Sequence, residues 1–145
     1  MPRKLLLAIA AIILTSITAC GKNDGHVKVY PAQGKVIVRG VPAEGARIVF
    51  YPVSEELKKH GMPVPDGITD AQGIFKLKSY TVDDGAPEGE YKVGVVWLEQ
   101  LPPDADSDVV QPKDRLAGRY SDPQKSKLTA KIAKGGGEIP PFELQ

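Results

Sequence analysis

One cysteine, two histidines and a short acidic run carry most of the side chains in this 145-residue chain whose type and spacing could do chemistry. Cys20 lies in "TSITACGK", at the close of an apolar stretch. His26 sits in the polar, glycine-bearing segment "GKNDGHVKVYPA" and His60 in the charged stretch "SEELKKHG". Neither has a nearby serine or cysteine motif that it could serve as a base, so both read as solvent-exposed side chains. In "DADSD", Asp104, Asp106 and Asp108 alternate as the first ligands of a calcium loop do. The glycine such a loop needs next is Val109, and its twelfth position is Arg115 instead of glutamate, so the run reads as a solvated acidic loop. "DDG" at 83–85 reads as turn chemistry. No acid and base converge in the sequence, which predicts a non-catalytic protein without cofactor or metal. An envelope hydrolase whose carboxylates converge only in the fold, and a calcium-dependent adhesion or scaffold module, are the alternatives.

The chain opens "MPRKLLLAIAAIILTSITA", with Arg3 and Lys4 ahead of an unbroken apolar run from Leu5 to Leu14. Charge followed by a short apolar segment is the layout of a secretory signal peptide. The run is too short to cross a hydrocarbon core of about 30 Å. Ile17, Thr18, Ala19 and Cys20 resemble the lipobox of bacterial lipoproteins. That resemblance implies cleavage before Cys20, lipid on its sulfur, and an exported protein anchored to a bacterial cell membrane on its periplasmic or surface face. Residues 1–19 are then the signal peptide, 20–32 the lipidated cysteine with a flexible tether, and 33–145 one domain. With Cys20 lipidated no thiol remains, so neither a disulfide nor a cysteine metal site can hold the domain. About 125 mature residues suffice for one hydrophobic core. Loss of Arg3 and Lys4 changes 19 basic against 18 acidic residues into 17 against 18, a net charge of −1. Such balance offers no electrostatic basis for binding nucleic acid.

The elements that must position these residues read as strands. Runs rich in Val, Ile, Phe and Tyr recur at 34–40, 46–52, 67–69, 74–80, 90–98, 127–133 and 141–145, separated by Gly, Pro and Asp. No long window shows a 3.6-residue period. Alternation along a strand puts Tyr91, Val93, Val95 and Trp97 on one face. The same rule turns Ile48 and Phe50, Phe75 and Leu77, and Leu128, Ala130 and Ile132 inward. These segments predict an all-β, seven-stranded antiparallel sandwich. The first, second and fifth strands, apolar on both faces in places, are expected to be central. In "TDAQGIF", Asp70 and Gly73 predict a hairpin turn. The last strand, behind Pro140 and Pro141, is expected at an edge.

"GKVIVRGVPAEGARIVFYP", "TDAQGIFKL" and "APEGEYKVGVV", in that order behind the lipobox, resemble the carboxypeptidase regulatory-like, or transthyretin-like, β-sandwich domain of small bacterial lipoproteins. The tail "RLAGRYSDPQKSKLTAKIAKGGGEIPPFEL" looks similar as well. The resemblance implies a prealbumin-like sandwich serving as an accessory module, structural or binding an envelope protein or glycan. The ureide-hydrolysing branch of that family relies on a terminal Tyr-Arg-Gly-Ser. This chain ends "FELQ", and that activity does not carry over.

If successive strands alternate in direction, the turns at 40–45 and 70–73 and the long segment 99–125 share the end away from the anchor. Loops 53–65, 81–89 and 134–138 then face the membrane. The distal segment is longer than a hairpin needs. Arg119 and Tyr120 are its expected anchors for a partner, because such side chains dominate binding hot spots, with Asp104, Asp106 and Asp108 beside them. In the alternative reading, "RLAGRY" packs a short turn back onto the sandwich.

Overall fold

The computed structural model describes residues 25–59, 61–104 and 110–145. Cys20 and the signal segment, His60, Asp106 and Asp108 lie outside these residues. In chain order the elements are β1 (Ala32–Val38), β2 (Val41–Pro42), β3 (Arg47–Pro52), α1 (Glu55–Lys59), β4 (Asp66–Ile68), β5 (Ile74–Lys76), β6 (Gly89–Val96), β7 (Leu128–Ile132), β8 (Gly137–Glu138) and β9 (Phe142–Leu144). Every segment expected to be extended contains a strand, and the two-residue β2 and β8 add short pairings that no alternation could announce.

Two sheets result. One has the order β4-β3-β6-β7 and is antiparallel throughout. The other is built on β1, whose first half pairs with β5 and β8 and whose second half pairs with β2 and β9. β1, β3 and β6 are the central strands, as their two-faced apolar character predicts. β9 pairs only with β1 and lies at an edge, as the prolines before it require.

The antiparallel expectation needs correction, because β8 and β9 run parallel to β1. The reason lies in the connections. With the direction reversing at each step among the seven longer segments, the first and last run the same way, and adjacency then makes their ladder parallel. The turn at 70–73 also differs from a simple hairpin. Asp70 accepts hydrogen bonds from the Gln72 and Ile74 amides at 2.9 and 2.8 Å, and Gly73 has φ 73°, as expected of a tight turn. Yet it carries the chain from β4 in one sheet to β5 in the other. The two sheets touch along that seam through paired backbone bonds between Asp66 and Lys78.

The core lies between the sheets. Val36, Phe75, Leu77, Phe142 and Leu144 from one face meet Ile48, Phe50, Tyr91, Val93, Val95, Trp97 and Ile132 from the other. Phe50 stands at its centre, with ring centroids of Phe75, Tyr91 and Phe142 at 6.0, 5.8 and 6.3 Å. Tilted and edge-on rings at such distances satisfy the aromatic quadrupoles. A Cβ at Gly34 would come within 2.6 Å of the Phe75 ring, so this ring occupies the space of the missing side chain. Leu128 and Ala130 are half-buried instead of fully inward, because β7 is an edge strand, while Ile132 is buried.

The described part of the tether lies against the domain. The His26 ring stacks on Tyr80 at 4.1 Å and 8°, the Val27 amide donates to the Tyr80 hydroxyl at 3.2 Å, and Tyr30 pairs with Ala86. Loop 79–85 can hold this lead-in because the Asp84 carboxylate gathers the Ser79, Tyr80 and Thr81 amides at 2.7 to 2.9 Å.

Candidate functional site

Opposite this lead-in, β1 ends in the two-residue turn Arg39–Gly40, with φ values of 50° and 82°. Positive φ at both central positions matches the twist of a hairpin, but it favours Asn or Gly at the first of them. An arginine there carries backbone strain of about 1 kcal/mol or more. The same end holds the C-terminal part of β6, the segment 43–46, and the descending loop 113–121.

Local hydrogen bonds fix these pieces. The buried Thr69 hydroxyl accepts the Ala46 amide at 2.8 Å and donates to the Ala43 carbonyl, clamping segment 43–46. The Glu44 carbonyl in that segment accepts the Trp97 indole N–H at 2.7 Å, which seats the ring. Asp114 then organises the loop, its carboxylate accepting the amides of Trp97, Leu116 and Gly118 at 3.0, 3.0 and 2.8 Å. Leu116 drops into the core. Ala117 and Gly118 form a second left-handed pair, φ 52° and 72°, that reverses the chain and presents Arg119. Beyond it the backbone rejoins β6, where the Val95 amide donates to the Tyr120 carbonyl.

These elements surround a cavity of about 280 Å³ lined by Val38, Arg39, Val41, Trp97, Arg115, Leu116, Arg119 and Gln145. The Arg115 guanidinium lies on the Trp97 ring, 3.7 Å from its centroid. Arg119 donates to the Leu116 carbonyl and to the main-chain oxygen of Gln145, and it lies 5.7 Å from the Tyr120 ring. None of the side-chain ion pairs among the described residues involves Arg39, Arg115 or Arg119; the pairs use Arg47, Lys58, Lys76, Lys78 and Lys125. The site therefore gathers three guanidinium groups around an apolar floor. Chemically it can grip an anion and exclude part of its water.

Of the residues singled out from sequence, Arg119 lines this cavity. Tyr120 is half-buried, packs against the core and accepts the Gln145 amide at its hydroxyl, 3.2 Å away. Asp104 is exposed on the same connection and does not line the cavity. Among the described residues no three His, Cys, Asp or Glu side chains gather as metal ligands do. Sequence reasoning missed Arg39, Arg115 and the organising role of Asp114. For the first, "VRGV" offered only the glycine of a two-residue turn, because arginine stands where such turns take Asn, Asp or Gly.

No family model matches the chain, and no curated protein does. Among solved structures, the crystal structure of a 9R-lipoxygenase from Cyanothece PCC8801 is similar to 81% of this chain at 16% identity and a TM-score of 0.41. The chain spans 16% of that protein's length. A likeness of that size assigns neither a fold family nor an activity.

Proposed function

We propose that this protein is a lipid-anchored, non-catalytic sandwich of a bacterial cell envelope, of the carboxypeptidase regulatory-like, prealbumin-like type, which holds out its distal end to a protein or glycan partner. The observation that carries this reading is the polarity of the sandwich. The lead-in from residue 26 meets the domain beside Ala86, and Gly137 donates to the Pro31 carbonyl at the same end. The arginine-lined cavity lies at the other end, where β1 and β6 finish. An apolar run closed by "ITAC" ahead of that lead-in supports an anchor on Cys20. A diacylated or triacylated cysteine would hold the protein on the membrane without a basic patch.

Two measurements test this reading. In bacterial cells the wild-type chain should take up labelled fatty acid and fractionate with membranes. Cys20→Ser should do neither and should accumulate uncleaved; a mature wild-type protein with an unmodified Cys20 would sink the anchor. A photo-crosslinking residue placed at the exposed Val41, at the distal end, should capture an envelope component that the same residue at the exposed Val82, near the lead-in, does not. Equal capture from both positions would reject the distal surface.

A further inference from the structure

The geometry points to the Arg39–Arg115–Arg119 cavity as a receptor for a glutamate or aspartate side chain on an extended segment of a partner protein. This rests on the distal end being the working end, and it names what that end takes. Three observations converge on it. Charge comes first: three guanidiniums line one cavity, Arg119 already held by the Leu116 and Gln145 main-chain oxygens so that Arg39 and Arg115 are the primary donors, and the acid built into the same loop, Asp114, turns its carboxylate to three backbone amides. The Arg115 guanidinium already rests over the Trp97 ring, 3.7 Å from its centroid, so this contact holds part of its side chain in place before a carboxylate arrives.

The second observation is local conformation. Arg39 occupies a left-handed turn position that suits Asn or Gly better. A side chain kept where the backbone disfavours it is accounted for if the guanidinium has work at this place.

The third is the shape and lining of the cavity, which decide between carboxylate carriers. About 280 Å³ is room for one anchoring group of a longer ligand, so the lining has to choose among carriers. Val38, Val41 and Leu116 supply aliphatic surface, and Val41 is 60% exposed, as a neighbour for an aliphatic side chain flanking the acid. A sugar would call for an open aromatic face. Trp97 is 8% exposed, and Arg115 lies over one face of its ring.

Trp97 is the single tryptophan in the chain and thus reports on its own pocket. The full chain in detergent micelles is titrated with an end-blocked Leu-Glu-Leu-Glu-Leu peptide, its Leu-Gln-Leu-Gln-Leu counterpart, polygalacturonate and inorganic phosphate, with indole emission as the readout. The glutamate peptide should produce a saturable change, and the glutamine peptide should bind at least about tenfold more weakly, the size of one or two charged hydrogen bonds. Arg39→Asn should weaken the glutamate peptide while leaving Tm equal or slightly raised, because Asn suits the turn. Arg119→Gln should weaken it as well.

Equal affinity for the two peptides, polygalacturonate or phosphate binding as tightly as the glutamate peptide, or peptide binding unchanged in both variants would each overturn this assignment. If the peptide fails while crosslinking at position 41 still captures an envelope component, the distal surface stands and the acidic ligand falls. If both fail, so does the reading beneath it.

Discussion

Replacing Asp114 with alanine should loosen the whole distal loop, at a cost that can be worked out bond by bond. The carboxylate accepts three amides, those of Trp97, Leu116 and Gly118. Trp97 and Leu116 are buried, at 8% and 1% exposure, so their N–H groups would not recover full hydration. Gly118 is exposed, and water can replace its bond at little cost. A hydrogen bond to a charged acceptor contributes about 1.5–3 kcal/mol net, so two uncompensated bonds place Asp114→Ala at about 3–6 kcal/mol. Asp114→Asn keeps Oδ1, which accepts from Trp97 and Leu116, and replaces the oxygen facing Gly118 with a donor. That change should cost about 1–2 kcal/mol. Urea unfolding followed by Trp97 fluorescence and by circular dichroism measures both. The spacing between the variants is the critical result. If they are equally destabilised, or if alanine costs less than about 1 kcal/mol, the carboxylate does not organise the loop through these bonds.

Three further perturbations probe the scaffold. Phe50→Ala, at the centre of the aromatic cluster, should cost about 3–5 kcal/mol in chemical denaturation, and a loss below about 1 kcal/mol would mean that the inward face is misassigned. Tyr91→Phe removes only the hydroxyl that donates to the Pro87 carbonyl at 2.8 Å, so it should cost about 1 kcal/mol and leave that buried carbonyl short of a partner. For Asp84, partial burial raises the carboxyl pKa, but the amides of Ser79, Thr81 and Tyr80 outweigh that effect and hold it below 3.8. A depressed folded-state pKa stabilises above the unfolded value and loses its contribution as pH falls through the folded one. The stability gap between wild type and Asp84→Asn should therefore be flat near neutrality and shrink below about pH 4; a gap that stays constant down to about pH 2.5 would contradict it.

Much of the sandwich was legible because burial imposes a period of two on any strand with one wet face. Tyr91, Val93, Val95 and Trp97 announce β6 in this way, and Ile48 with Phe50 announces β3. Turn chemistry was equally local: Asp70 and Gly73 specify a reversal through their own backbone and side chain. What that reversal joins was not local. The same turn can close a hairpin or pass the chain between sheets, and the outcome is set by the distant pairings of β4 with β3 and of β5 with β1. Parallel pairing of β9 with β1 also spans most of the chain, so no window of sequence contains it.

The candidate site illustrates the same boundary from the functional side. Arg39, Arg115 and Arg119 are separated by up to 80 residues and belong to no motif, because a cavity that grips a charge needs directions, not spacing. Two of them stand at or beside left-handed backbone: Arg39 adopts it itself, and Arg119 follows Ala117 and Gly118. Such backbone is locally unfavourable for Arg39 and Ala117, and it persists because the surrounding ladder and the Asp114 carboxylate leave no other path. Asp83 and Lys127 adopt positive φ elsewhere in the domain, so it is the position of Arg39 and Ala117 at the two turns that flank one cavity, at the end away from the lead-in, that ties the scaffold to the binding role proposed for it. The fold energy that Trp97, Leu116 and Asp114 contribute is what allows three like charges to line one cavity without an aspartate or glutamate side chain among them.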